Sequence, residues 1–235
     1  MLAIIRRDFK SYFNSPIAYV LIGLYMVLLG LFFNSLLGYG VSDIMSEFVG
    51  IMNGLLLLIV PILTMRSMAE DKKNGTEVLL LTSPVRLTEI VLGKALAAFS
   101  VFMVMTFVSL IFPLIIIVVG KPDIMLIMSS YLGYILIGAV FISLGVFASS
   151  LTENQIIASL ITLVSIFLIQ NLDFLAGFFS GFMNKAVLWL SISDRYIDFS
   201  KGIIDITSIV FLISFALVFI FLTVRVLEHK RWSQG

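Results

Sequence analysis

The chain has no cysteine, a single histidine and few charged residues, and each shortage excludes a class of function. Without cysteine there are no disulfides, thiolate metal sites or cysteine nucleophiles. Only 12% of the 235 residues are charged and 60% are apolar, against about 25% and about 45–50% in soluble domains. A soluble domain of this length could not bury so much apolar surface, so the composition predicts a membrane protein. The net charge of +1 gives no general attraction to nucleic acid.

The sequence also lacks the phosphate-binding pattern G-x-x-x-x-G-K-[ST]: Gly93-Lys94 has no upstream glycine and is followed by Ala95. The histidine, His229, lies in a basic stretch where a solvated side chain is expected, and no catalytic or metal-binding set of residues is evident. We therefore predict that the chain is not an enzyme and binds no metal or cofactor. The predicted spans hold no buried charge, so a proton relay is not expected either. Energy for active transport would have to come from a partner.

Six apolar segments have about the length that a transmembrane helix needs. They are about 17–37, 45–66, 91–120, 125–151, 154–173 and 206–225. No alternating pattern of a β-barrel is present. The sequence predicts an all-α integral membrane fold, with residues 1–235 forming one transmembrane domain.

The distribution of basic residues predicts the orientation. With six spans both termini lie on the same side, and that side carries 11 of the 15 lysines and arginines. Basic residues concentrate in cytoplasmic segments. We expect a multi-pass protein of a bacterial inner membrane with both termini in the cytoplasm.

Two stretches are expected to lie in the membrane interface. Residues 2–14 place Leu2, Ile5 and Phe9 on one helical face opposite basic residues, which is typical of an amphipathic interfacial helix; a frayed terminus is the alternative. Residues 174–203 contain apolar runs such as Phe174–Phe182 that are too short to cross. We predict short external re-entrant helices there, before the last span.

Small residues and prolines interrupt several predicted spans. Gly50 and Gly54 form a G-x-x-x-G pattern typical of close helix packing, and Gly145 and Ser149 repeat the spacing on the fourth span. Such patterns also occur by chance. Pro61 and Pro113 are expected to kink the second and third spans.

The longest polar interruption is Met65–Lys94, which we call the foot. Gly75 can end a helix that continues from the second span. Thr76 can cap a new short helix, and Ser83-Pro84 would stop it. This short helix carries the apolar row Val78–Leu81. From composition alone, these side chains could lie against a partner protein or in the headgroup layer.

The foot resembles the cytoplasmic segment of type 2 ABC exporter permeases. The matching order is Glu70, Gly75-Thr76, Leu80-Leu81, Ser83-Pro84, Glu89 and Gly93-Lys94. The amphipathic start, Ser15-Pro16, Tyr19 and the six-span layout are similar to this family too. Among its members, bacterial permeases of the gliding-motility and nitrous-oxide-reductase-maturation kind resemble the chain most.

This resemblance implies one half of a permease, paired with an identical or related second half and driven by two separate ABC ATPase subunits that bind ATP and Mg. It implies a coupling site for the ATPase at Glu70, Thr76, Glu77, Leu79, Leu80, Leu81 and Pro84. It implies a path between the halves, lined mainly by spans two and five, with Asn53 and Asn171 as candidate path residues. The scarcity of charge there favours an amphipathic, lipidic or peptide substrate. The rival functions are an ATP-independent carrier or channel, and a membrane anchor that transmits ATPase motion mechanically.

Overall fold

The computed structural model describes residues 1–36, 41–77, 85–119, 123–178 and 180–233, and within these ranges the regular structure is helical, with no strand. In chain order the helices are α1 (Leu2–Asn14), α2 (Pro16–Leu36), α3 (Val41–Thr64), α4 (Ala69–Lys73), α5 (Leu87–Ser109), α6 (Ile111–Val119), α7 (Ile124–Leu151), α8 (Gln155–Gln170), α9 (Leu172–Ala176), α10 (Phe182–Trp189), α11 (Ile192–Ser200) and α12 (Ile206–Ser233). The predicted all-α class is confirmed.

Five helical segments within the described ranges are long and apolar enough to cross a membrane. They are Pro16–Leu36, Ile44–Lys73, Leu87–Val118, Ile124–Leu151 and Ile206–Arg231. The predicted fifth span, 154–173, contains the shorter apolar helix α8 of 16 residues. At 1.5 Å per residue, α8 is about 24 Å long, less than the roughly 30 Å of a hydrocarbon core. A sixth crossing therefore stays a prediction.

Helix α7 is the centre of the bundle, because it packs against α3, α5, α8, α11 and α12. Three of its glycines allow this close approach. A Cβ on Gly138 would overlap the ring of Phe102, and a Cβ on Gly145 would overlap Thr64. At Gly133 a Cβ would lie 2.8 Å from the Cβ of Phe199. The last helix, α12, is by contrast mostly exposed and faces the surroundings of the bundle.

The foot, α1, the turn between α7 and α8, and the end of α12 meet at one end of the bundle. The Tyr12 hydroxyl of α1 donates to the carbonyl of Leu63 at 2.8 Å. The ammonium of Lys230 in α12 lies 4.0 Å from the carboxylate of Glu77. At the opposite end, α11 is fixed on the start of α7, where the Ser129 hydroxyl donates to the Phe199 carbonyl at 2.6 Å.

The two prolines within the spans have different surroundings. Helix α3 continues through Pro61. The third span is interrupted at Leu110, between α5 and α6, just before Pro113. In a regular helix, the N–H of residue 113 would donate to the carbonyl of Ser109, four positions earlier. Pro113 has no N–H, so this hydrogen bond is missing. The Tyr131 hydroxyl donates to that carbonyl at 3.2 Å instead, so α7 satisfies a backbone group that the proline leaves free.

Candidate functional site: the foot and its ion cluster

Residues 65–77 of the foot form a compact turn with one short helix. After α3 ends at Thr64, α4 follows at Ala69–Lys73, and the chain reverses at Gly75, whose φ of 71° favours glycine. A helix does end just before Gly75, as predicted, but it is the short helix α4, because α3 itself ends at Thr64. Helical structure resumes at Thr76 and Glu77. Residues 78–84 lie outside the described ranges, and with them the predicted coupling residues Leu79, Leu80, Leu81 and Pro84.

Lys94, the last residue of the foot, is buried and joins its own helix α5 to α4 and α1. The side chain of Lys94, in the second turn of α5, is only 4% exposed. Its ammonium forms ion pairs with Asp71 of α4 and, at 3.4 Å, with Asp8 of α1. It also donates to the Ser67 carbonyl at 2.6 Å. Arg7 completes the group, because its guanidinium donates to Asp8 at 2.7 Å and lies 3.6 Å from Asp71.

We call Arg7, Asp8, Asp71 and Lys94 the ion cluster. Two acids and two bases give it no net charge, which is the condition under which buried charges are tolerated. The hydrogen bond to Asp8 raises the pKa of Arg7 and the Asp71 carboxylate adds to the rise, although partial burial opposes both. The cluster borders a cleft of about 270 Å³ that also contacts Arg66 and Glu70.

The cluster corrects one expectation from the sequence. The predicted spans were expected to hold no buried charge, but Lys94 is buried within the predicted third span, and Lys72 is buried at 8% exposure in α4. The charge of Lys94 can be buried because Asp8, 86 positions earlier in the chain, places its carboxylate beside the ammonium. Lys72 is satisfied in a similar way, since its ammonium donates to the Ser150 carbonyl at the end of α7.

Three of the predicted coupling residues lie in the described part of the foot. Glu70 accepts two hydrogen bonds from Arg66, at 2.8 and 2.7 Å. Thr76 donates its hydroxyl to the Asp71 carboxylate at 2.8 Å, so it is connected to the ion cluster. Glu77 faces Lys230 of α12. Glu77 therefore links the foot to α12, whereas Glu70 and Thr76 bond other residues of the foot. The contact of these three residues with an ATPase stays a prediction.

The foot is also bonded directly to the central helix. The Ser149 hydroxyl of α7 accepts from the backbone N–H groups of Met68 and Ala69, both at 3.0 Å, and donates to the Met65 carbonyl at 3.1 Å. One turn earlier, Gly145 lets Thr64 approach. The small-residue spacing of the fourth span therefore forms a close contact within the chain.

The other small-residue pattern is arranged differently. Gly50 and Gly54 are exposed on α3, and a Cβ added to either would meet no atom within 4 Å. They form no close contact within the chain, so their face of α3 is open. The close helix packing predicted for Gly50 and Gly54 stays a prediction.

The structure does not bring the two candidate path residues together as a pair. Both polar side-chain atoms of Asn53 are buried, whereas Asn171 bonds the carbonyl of Phe167 in its own helix at 2.8 Å. Gln170 contacts the backbone of Asn53, because its amide donates to the Asn53 carbonyl at 3.0 Å. This bond joins α8 to α3. The role of Asn53 and Asn171 in a path stays a prediction.

The ion cluster was missed by sequence reasoning, although one signal was present. Lys94 is the only charged residue inside the predicted third span, and an isolated charge in apolar surroundings needs a partner. Its partners could not be identified, because Asp8 and Asp71 belong to other segments. Within the described residues, no group of three or more acidic or histidine side chains is placed to hold a metal ion.

Comparison with known protein families decides what kind of membrane protein this is. The family model described as ABC-2 type transporter matches residues 1–193. The chain belongs to the ABC-2 type transporter family. A search of curated proteins finds no match. The ABC-2 match covers α1, the foot and the helices through the start of α11.

Membership confirms the resemblance seen in the sequence and gives the chain its general role. It is a multi-pass membrane protein with the role of an ABC transporter permease, and the ABC-2 domain is a permease domain rather than an ATPase. The family implies ABC ATPase partners and usually dimerisation. In this ABC-2 permease the ion cluster and the Ser149 contacts lie at the end of the bundle that carries the foot.

Proposed function

We propose that this chain is the membrane subunit of an ATP-driven exporter of a bacterial inner membrane, and that its foot receives motion from a separate ATPase subunit that binds ATP and Mg. The observation that carries the proposal is the ion cluster, in which Lys94 of α5 bonds α1 and α4 at once. A displacement of the foot would change the surroundings of a buried charge, which is costly unless the paired groups move together.

Contacts with the other helices support the same role. Ser149 bonds the foot to α7, and Glu77 faces Lys230 of α12. Since α7 contacts most of the bundle, a push on the foot would reach nearly every span through packed and hydrogen-bonded groups. We infer that Val78–Leu81 contacts the ATPase, and that Glu70, Thr76, Glu77 and Pro84 contribute to the same coupling.

The orientation of the foot follows from the charges that surround it. The foot end of the bundle contains Arg7, Arg66, Lys72, Lys94 and Lys230, and basic segments stay in the cytoplasm. We place both termini and the foot in the cytoplasm, which requires α8 to complete a sixth crossing with the short helices α9–α11 dipping into the outer leaflet. Exposed aromatic residues on these short helices, such as Phe174 and Trp189, are suited to that depth.

The test is assembly with an ABC ATPase subunit that is co-expressed with this chain. Replacing Leu80 and Leu81 by Asp should abolish co-purification of the ATPase, because a charge cannot be buried in an apolar groove without a partner. The matched control replaces the same leucines by Met, which keeps their apolar character and should preserve assembly. Retained assembly in the Asp variant would refute the placement of the coupling surface.

A second measurement separates the exporter from its rivals. Vesicles that contain this chain alone should transport nothing, and transport should require both the ATPase and ATP. Transport by the chain alone would identify a carrier or channel. If no candidate solute stimulates ATP hydrolysis and none is transported while ATP is hydrolysed, the mechanical anchor would be favoured.

A further inference from the structure

A polar cleft of about 270 Å³ lies between α1 and the foot. Arg7 and Ser11 of α1 line one side, and Arg66, Glu70 and Asn74 of the foot line the other. The remaining members of the ion cluster border it as well. A ligand in this cleft would therefore contact two segments of the chain at once, among charged groups of both signs.

The charges in the lining of the cleft balance. Three bases and three acids border it, namely the two acids and two bases of the ion cluster together with Arg66 and Glu70. A ligand with a net charge would leave that charge uncompensated in a partly buried place, which is costly. A zwitterion adds no net charge and offers an opposite partner to each sign of the lining. The balance therefore favours a zwitterion.

Two exposed side chains on opposite sides of the cleft keep hydrogen-bond donors for a ligand. The Arg7 side chain is 49% exposed and, among the described residues, donates a hydrogen bond only through Nε. Other N–H groups of its guanidinium therefore remain. The Asn74 side chain is exposed and bonds no other described residue. Such donors are suited to a phosphate, whose oxygens accept hydrogen bonds.

Glu70 supplies an acceptor for the cationic part of a zwitterion. Its side chain is 33% exposed, and each carboxylate oxygen accepts one hydrogen bond from Arg66. A carboxylate has about four lone-pair sites, so both oxygens can accept again. A primary ammonium can donate to them through its N–H groups, whereas a quaternary ammonium cannot, because it has no N–H.

Contacts with the start of α2 place the cleft at the level of the lipid headgroups. Arg66 donates to the hydroxyl of Ser15, the residue before α2, at 3.4 Å. Tyr19, in the first turn of α2, is 62% exposed, and its ring packs against Phe13 of α1 with the centroids 5.8 Å apart. An exposed tyrosine at the end of a span is typical of the membrane–water interface, as is an amphipathic helix such as α1.

We propose that the cleft binds phosphoethanolamine as the headgroup of a phospholipid whose acyl chains stay in the bilayer. Its phosphate would accept hydrogen bonds from Arg7 and Asn74, and its ammonium would donate to Glu70. A phosphocholine headgroup lacks the N–H donors, and a phosphoglycerol headgroup brings a net negative charge. This lipid would stay bound to the permease, so the proposal depends on neither the ATPase nor the transported substrate.

The experiment uses the absence of cysteine from the chain. Ser11→Cys places a single thiol in the lining of the cleft, and its rate of modification by N-ethylmaleimide is measured on the full chain in dodecyl maltoside micelles. Added dioleoyl phosphatidylethanolamine should slow the modification in a saturable way, whereas phosphatidylcholine and phosphatidylglycerol with the same acyl chains should not. The matched control is Asn14→Cys, an exposed position of α1 outside the lining, whose modification should not depend on the lipid.

The result that overturns the proposal is equal protection of the Ser11→Cys thiol by the three lipids, or no protection by phosphatidylethanolamine. Phosphoethanolamine without acyl chains is titrated in parallel, because a soluble molecule could carry the same headgroup. Protection by the soluble compound at the same concentrations as the lipid would also overturn the assignment to a membrane lipid.

Two variants in the Ser11→Cys background test the binding residues. Glu70→Gln should raise the phosphatidylethanolamine concentration for half-protection about tenfold, the effect of losing a hydrogen bond to a charged group. Because it also raises the formal charge of the lining from zero to +1, phosphatidylglycerol should now protect. Glu153→Gln is the control, since it makes the same charge change at an exposed acid outside this cleft.

Asn74→Ala is the second variant and should raise the same concentration about three- to tenfold, the effect of losing one hydrogen bond to a charged group. Its Tm without added lipid should equal that of the parent, because the exposed Asn74 side chain bonds no other described residue. Unchanged protection in both Glu70→Gln and Asn74→Ala would show that these side chains do not hold the headgroup.

None of these measurements involves an ATPase, so the lipid site and the proposed function can fail separately. Headgroup-specific protection together with ATPase assembly that ignores the foot variants would remove the coupling proposal and leave the lipid site. Assembly that depends on the foot, without headgroup-specific protection, would remove the lipid site and leave the exporter.

Discussion

The Ser149 hydroxyl of α7 accepts a hydrogen bond from the backbone N–H of Ala69, the first residue of α4, at 3.0 Å. The same oxygen accepts from the N–H of Met68. The first N–H groups of a helix have no partner within that helix, so a side chain of the central helix caps the short helix of the foot. The foot cannot rotate away from α7 without exposing these groups.

We therefore expect Ser149→Ala to destabilise the fold by about 1–3 kcal/mol, the usual cost of leaving buried donors unpaired. The measurement is denaturant unfolding of the purified chain in mixed micelles. Ser159→Ala is the control, because the exposed Ser159 hydroxyl bonds only the Ile156 carbonyl of its own helix and should change stability by less than about 0.5 kcal/mol. Equal effects of the two changes would contradict the capping role.

The ion cluster leads to a second prediction. Lys94→Met should destabilise the fold by about 1–3 kcal/mol, because it removes a buried cation and leaves the partly buried carboxylates of Asp8 and Asp71 with only the half-exposed Arg7 as a partner. The control is Arg225→Met, since Arg225 pairs with Glu228 at an exposed site, with side chains 63% and 38% exposed, where an ion pair contributes little. The same unfolding measurement applies to both.

A double change tests whether the stability lost in Lys94→Met comes from the ion pair between Lys94 and Asp71. Adding Asp71→Asn to Lys94→Met should recover part of the lost stability, because it removes one of the carboxylates that the first change leaves unpaired. Additive losses would mean that Lys94 contributes mainly through its hydrogen bond to the Ser67 carbonyl.

Sequence reasoning predicted the helices well but not the contacts between their polar ends. Five of the six predicted spans, the helix over residues 2–14 and the helix end before Gly75 follow from local patterns of apolar residues and glycine. The pairing of Lys94 with Asp8 and Asp71 depends on the order in which helices pack, which no local pattern contains. The length of α8 was overestimated for a related reason: residues 154–173 are apolar enough to cross, but the helix ends at Gln170, where the side chain bonds α3.

A buried pair of tyrosines leads to a third prediction. The hydroxyls of Tyr25 on α2 and Tyr134 on α7 lie 2.9 Å apart, and both side chains are fully buried. Changing one tyrosine to Phe leaves the other hydroxyl without this partner and should cost about 1–3 kcal/mol, whereas the double change should cost little more than one single change. A double-mutant cycle of unfolding free energies measures the coupling. Strictly additive losses would show that the hydroxyl pair does not hold α2 to α7.

The glycines of α3 and α7 allow a final comparison between contacts within one chain and contacts between chains. Gly145→Ala should destabilise the single chain, because the added methyl group would overlap Thr64. Gly50→Leu and Gly54→Leu should leave its stability nearly unchanged, because nothing lies within 4 Å of a Cβ at either position.

If a second permease packs against this face of α3, the two leucines should instead lower the dimer fraction, since small residues let helix backbones approach closely in a membrane. Cross-linking in native membranes measures the dimer. An unchanged dimer fraction, with the single chain equally stable, would place the interface on another face of the bundle.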